Sequence, residues 1–126
     1  MSTNASVANV NAIQAGQLDA GLAGAQTVVQ SYNGEGKFVG NKKDKIRVIG
    51  NLYPEDMHLV TPKGETLKSL KDLEGKDVGI AQAGSGTQVS VKMILDHYKI
   101  TVNAAELNNT QSSQRIADGQ LDALKA

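Results

Sequence analysis

The sequence predicts an α/β fold arranged as two related lobes, and three observations carry that expectation. Short runs with helical spacing alternate with short apolar runs along the whole chain. Gly16-Gln17-Leu18-Asp19-Ala20 recurs as Gly119-Gln120-Leu121-Asp122-Ala123, each copy preceded by a helical segment and followed by apolar residues. Between them, Asp77-Val78-Gly79-Ile80-Ala81 reads as a buried strand that enters the small-residue turn Gln82-Ala83-Gly84-Ser85-Gly86-Thr87 and continues as a helix with a broad apolar face.

Taken in order, Val7, Val10 and Ile13 predict a helix over about residues 6–16, with Asn4 or Ser6 as N-cap and Gly16 as its stop. Leu18-Asp19-Ala20-Gly21-Leu22-Ala23-Gly24-Ala25 is a run of small and apolar residues expected to form a buried strand. A second short helix is expected over residues 26–32, ended by the breakers Asn33-Gly34-Glu35-Gly36. Lys37 to Lys45 reads as an exposed loop whose basic residues are solvated. Residues 46–53 and 57–61 are β-rich runs interrupted by Pro54-Glu55-Asp56, a long or broken strand that fits a hinge between lobes. Leu67, Leu70 and Leu73 suggest a short amphipathic helix stopped at Gly75. After the strand-turn-helix unit come a short strand at Ala105-Glu106-Leu107, a helix capped by Thr110, and a last strand at Leu121-Asp122-Ala123-Leu124. The expected division is residues 1–60 as part of lobe 1 with the hinge strand, and 61–126 as a linker helix with part of lobe 2.

Composition narrows the functions. The 126 residues are 40% hydrophobic and 21% charged, which suits a globular domain or a piece of one. Thirteen basic residues balance thirteen acidic ones, so the net charge of zero argues against a nucleic-acid or general polyanion binder. There is no cysteine for a disulfide, a thiolate metal site or a thiol nucleophile. No stretch approaches the roughly 18 apolar residues of a membrane span, and the N-terminus as written lacks the basic and apolar regions of a secretory leader.

The glycine turn is the most informative motif. A strand, a glycine-rich turn and a helix N-terminus bring backbone N–H groups and the positive end of a helix dipole together, which favours an anion. The bland alternative is a helix cap with no ligand. A nucleotide P-loop is excluded because Gln88 follows Thr87 and no Lys-Ser/Thr pair follows the glycines, and the third glycine of a dinucleotide fingerprint is missing. His58 and His97 lack metal-ligand spacing; His97 reads as surface, and His58 as a half-buried sheet residue or a ligand contact. Asp19 and Asp122 read as corner residues, and no serine stands in a nucleophile elbow. No catalytic set, cofactor motif or metal set assembles, so an enzyme is the least favoured reading.

Several blocks, in order along nearly the whole chain, closely resemble the TAXI branch of the TRAP-transporter solute receptors. They are Ser6-Val7-Ala8-Asn9-Val10-Asn11-Ala12-Ile13 with Gly16-Gln17-Leu18-Asp19, then Gln30-Ser31-Tyr32-Asn33-Gly34, then Leu52-Tyr53-Pro54-Glu55-Asp56-Met57-His58-Leu59-Val60. Lys68-Ser69-Leu70-Lys71-Asp72-Leu73-Glu74-Gly75-Lys76 and Gly84-Ser85-Gly86-Thr87 follow, the former shared by many type II periplasmic binding proteins. The resemblance implies a partial type II periplasmic-binding-protein fold, with two incomplete α/β lobes linked by a hinge strand. It implies a periplasmic receptor that closes on a small anionic solute, such as glutamate or another carboxylate, and hands it to a membrane TRAP permease. By motif position it places Ser6 at a helix N-terminus of the first lobe, Tyr53 and His58 near the hinge strand, and Gly84, Ser85, Gly86 and Thr87 at the second-lobe helix facing the carboxylate. Members are typically more than twice this length, and they carry polar side chains where this chain has Ala23-Gly24-Ala25-Gln26. The alternative is a truncated module that binds no solute and self-associates through unpaired sheet edges.

Overall fold

The computed structural model describes residues 5–125. The chain is mixed α/β, as expected: helices α1 (Ser6–Gln14), α2 (Ala25–Asn33), α3 (Gly86–His97) and α4 (Asn109–Ala117), and strands β1 (Leu59–Val60), β2 (Asp77–Gly79), β3 (Asn103–Ala105) and β4 (Ala123–Lys125). No helix among the described residues is long and apolar enough to cross a membrane. The contacts divide the described residues into two units, residues 5–54 with 84–89, and residues 55–83 with 90–125.

In the second unit, β2, α3, β3, α4 and β4 alternate around a four-stranded sheet of order β1-β4-β2-β3. β2 is parallel to both β3 and β4, with Val78 opposite Ala104 on one side and Ala123 on the other, while β1 closes an edge antiparallel to β4. Leu73, Val78, Ile80, Val91, Ile100 and Ala123 form the core. Burial of such side chains drives this unit together at about 25 cal/mol per Å² of apolar surface. The strand-to-helix passage at Ala81 is strained: its φ is +73°, a left-handed conformation that costs a non-glycine residue about 1–2 kcal/mol.

In the first unit the core is Val10, Phe38 and Ile46, flanked by Val7, Ile13, Ala23 and Val28, and the regular elements are helical. α2 ends at Gly34, whose φ of +73° makes the left-handed stop. A single 3₁₀ turn, Gly36–Phe38, then buries Phe38 inside the expected loop.

Several expectations are corrected. Residues 18–25 and 46–53 form no strand, and the run at 57–61 reduces to the two residues of β1. A β-prone sequence becomes a strand only when a neighbour completes its hydrogen-bond ladder, and no described strand lies beside these segments in their unit. The expected helix at Leu67 to Leu73 is a single 3₁₀ turn, Leu70–Leu73, because Ser69 and Asp72 close a capping box at one end and Gly75 turns left-handed at the other. β3 lies two residues earlier than expected, held in parallel register with β2. The cap of α4 is Asn108 rather than Thr110: its side chain accepts from the Gln111 N–H at 2.8 Å while Gln111 accepts from the Asn108 N–H at 3.1 Å. α1 is capped by Ala5, not Ser6, without a side-chain bond, and Asn4 lies outside the described residues.

The repeated pentapeptide makes the same corner twice. Gly16 and Gly119 have φ of +74° and +71°. The following amides, Gln17 and Gln120, donate back to Ala12 and Arg115 at 2.8 and 2.7 Å, the Schellman closure of a helix C-terminus. Beyond it the copies diverge. Leu121 and Ala123 are buried where the chain enters β4, and Asp122 accepts from the Asp77 N–H at 2.8 Å, whereas Asp19 and Ala20 stay exposed.

Candidate functional site

The candidate site lies within the first unit, where the N-termini of α1, α2 and α3 meet on small residues. Ser6, the first residue of α1, accepts from the Gly24 N–H at 3.0 Å, and Gly24 is the N-cap of α2. A Cβ added to Gly86, the first residue of α3, would stand 2.8 Å from Ser6 Oγ and 3.5 Å from Gly24 Cα. One added to Gly24 would stand 3.6 Å from Gly86 Cα. At Gly86 only a glycine allows this approach, whereas a Cβ at Gly24 would make an ordinary contact. The Val7 N–H donates to the Gly84 carbonyl at 3.3 Å, which ties α1 to the glycine turn.

The turn is braced from inside. Ser85 Oγ accepts from the Gln88 N–H at 3.0 Å, and the Ser85 carbonyl accepts from Val89, so Ser85 caps α3. Gln88, fully buried, accepts through Oε1 from the Gly84 N–H at 3.3 Å and from Lys37 Nζ at 3.1 Å. A buried amide oxygen thus holds an ammonium group at the start of α3 without neutralising it. Gly84 has a φ of +79°, which favours a glycine at that point of the turn.

The electrostatics point one way. Each helix N-terminus carries roughly half a positive charge, and the first turns of α1, α2 and α3 contain no acidic residue. Neither α1 nor α2 has a side-chain cap. In general, a helix N-terminus favours negative charge near it. Among the described residues no group of three or more His, Asp or Glu could hold a metal ion.

Of the residues singled out from sequence, Ser6, Gly84, Ser85, Gly86 and Thr87 come together here. Gly84 to Thr87 pack with the first unit. Tyr53 is 62% exposed on a segment without regular structure, and His58 is exposed in the other unit, just before β1, rather than half-buried in a sheet. Sequence reading missed Gln88 and Lys37. The signal for Gln88 was present, since Ser85-Gly86-Thr87-Gln88 has the Ser-x-x-Gln spacing of a capping box. Lys37 carried none: its role depends on a contact 51 residues away.

The family model described as "NMT1-like family" matches residues 1–126. The chain belongs to the NMT1-like family, solute-binding proteins of the periplasmic-binding-protein type.

Proposed function

We propose that the chain binds a small carboxylate, such as glutamate, at the vertex of α1, α2 and α3, as the receptor component of a TRAP-type transport system in the periplasm. The carrying observation is that three helix N-termini without acidic first turns share one small-residue corner beside the Lys37 ammonium. A carboxylate there accepts N–H bonds from the helix starts, and charge-assisted bonds of this kind are about twice as strong as neutral ones. Ser6, Gly84, Ser85, Gly86 and Thr87 are the contacts; Tyr53 and His58 enter on resemblance alone. The TRAP permease as recipient also rests on resemblance to the TAXI receptors.

Isothermal titration of the purified chain with glutamate, glutamine and 2-oxoglutarate tests this. The expected result is saturable heat at one site per chain, lost or strongly reduced in Ser85→Ala and Thr87→Ala. Absence of heat with all three from a folded sample, or heat unchanged in both variants, would overturn it.

A further inference from the structure

Among the described residues, Thr27 Oγ1 is a buried side-chain atom without a hydrogen-bond partner. Thr27 is 0% exposed. Ser31, one turn further along α2, is equally buried, but its hydroxyl donates to the Val28 carbonyl at 2.8 Å. A buried hydroxyl left unpaired lowers stability, and valine has nearly the same shape without that penalty. In this state the fold gains nothing from the oxygen of Thr27.

Its position gives the hydroxyl a use. Thr27 is the third residue of α2 and stands three after the N-cap Gly24, so the two positions share one face of the helix. Helical side chains lean toward the N-terminus, over the preceding turn. Thr27 is therefore aimed at Gly24, whose N–H bonds Ser6 Oγ at 3.0 Å and whose added Cβ would stand 3.6 Å from Gly86 Cα. The Thr27 N–H lies in the first turn of α2, where a helix offers no acceptor, and α2 has no side-chain cap. One residue thus brings two donors to the same corner. Rotation about χ1 re-aims the hydroxyl without moving the backbone.

We propose that the Thr27 hydroxyl is a further ligand-binding group of the vertex, unpaired in the free chain and donating to the bound carboxylate. This role rests on the carboxylate reading of the vertex. Loss of the hydroxyl then improves the fold and impairs binding, whereas a merely structural hydroxyl would move stability and affinity together.

Titration calorimetry with glutamate, glutamine and 2-oxoglutarate, beside urea unfolding, tests the role on the full chain, Thr27→Val and Thr27→Ser. Thr27→Val is expected to unfold at the same or a higher urea concentration than the parent chain. Its affinity for the compounds that the parent chain binds falls about tenfold to a hundredfold, the loss of one hydrogen bond to a charged group. Thr27→Ser keeps the hydroxyl and most of the affinity. Unchanged affinity in Thr27→Val overturns the role of Thr27 and leaves the vertex standing. Equal weakening in Thr27→Ser, or a lower unfolding midpoint for Thr27→Val, also overturns it, because the hydroxyl would then not be the group that binds or would be bonded within the fold. A folded parent chain that binds none of the three compounds overturns the carboxylate reading itself, and the role of Thr27 with it.

Discussion

Replacing Gly86 by alanine, alone and together with Ser6→Ala, probes the vertex directly. The new Cβ would meet Ser6 Oγ at 2.8 Å, and that oxygen is already engaged by the Gly24 N–H at 3.0 Å, so it cannot retreat without breaking the bond. Overpacking of this kind costs about 1–3 kcal/mol. The φ of Gly86 is not positive, so alanine suits the backbone and recovers about 0.5–1 kcal/mol of chain entropy. The expected net loss is about 0.5–2 kcal/mol. Ser6→Ala alone forfeits the bond to Gly24, worth about 1 kcal/mol. With Ser6 already alanine, the nearest atoms to the new Cβ are at 3.5 Å, an ordinary contact, and Gly86→Ala becomes neutral or mildly stabilising. The cycle therefore predicts a coupling of about 1–3 kcal/mol, read from urea unfolding of the four proteins where their m-values agree. A Gly86→Ala effect equal in both backgrounds to within about 0.5 kcal/mol would refute the close approach of α1 and α3.

Three other predictions concern single groups. Thr27 Oγ1 is fully buried in α2 without a hydrogen-bond partner, so Thr27→Val should stabilise by about 1 kcal/mol in urea unfolding, and a loss of that size would reveal a bonded hydroxyl. Asn108→Ala should cost about 1 kcal/mol by opening the capping box of α4; an unchanged midpoint would show that the cap contributes nothing. The Asp72 carboxyl is held below its usual 3.8 by the Lys68 and Ser69 backbone N–H groups, with a smaller contribution from the Ser69 hydroxyl. Because its folded value is depressed, the stability it contributes is present above the unfolded value and is lost as pH falls through the folded one. An NMR titration should place its midpoint below 3.8, and a midpoint at or above it would contradict the capping geometry.

Helices were legible because their signals are local. The apolar spacing of Val7, Val10 and Ile13, the glycine stops at 16, 34 and 119, and the turn before α3 each act within a few residues. The strands of the second unit were legible where buried apolar runs find neighbours, as at β2 and β4. Residues 18–25 and 46–53 misled because β propensity describes fitness for a pleated surface and says nothing of whether a partner strand exists. The same corner sequence shows this plainly: it enters β4 at Leu121 but leads to no strand at Leu18. Within the site, Ser85 and Gly86 announced a helix start in their own sequence. Ser6 and Gly24 belong there only through contacts across 18 residues or more, and no periodicity encodes those.

The most direct test of the anion vertex is an amide NMR titration of the chain with glutamate. If the three helix starts share one ligand, the resonances of Ser6 and Val7, of Ala25 and Gln26, and of Gly86 and Thr87 move together along one saturation curve. Shifts confined to other residues, or none at saturating glutamate, would contradict the vertex as the place where this chain binds its solute.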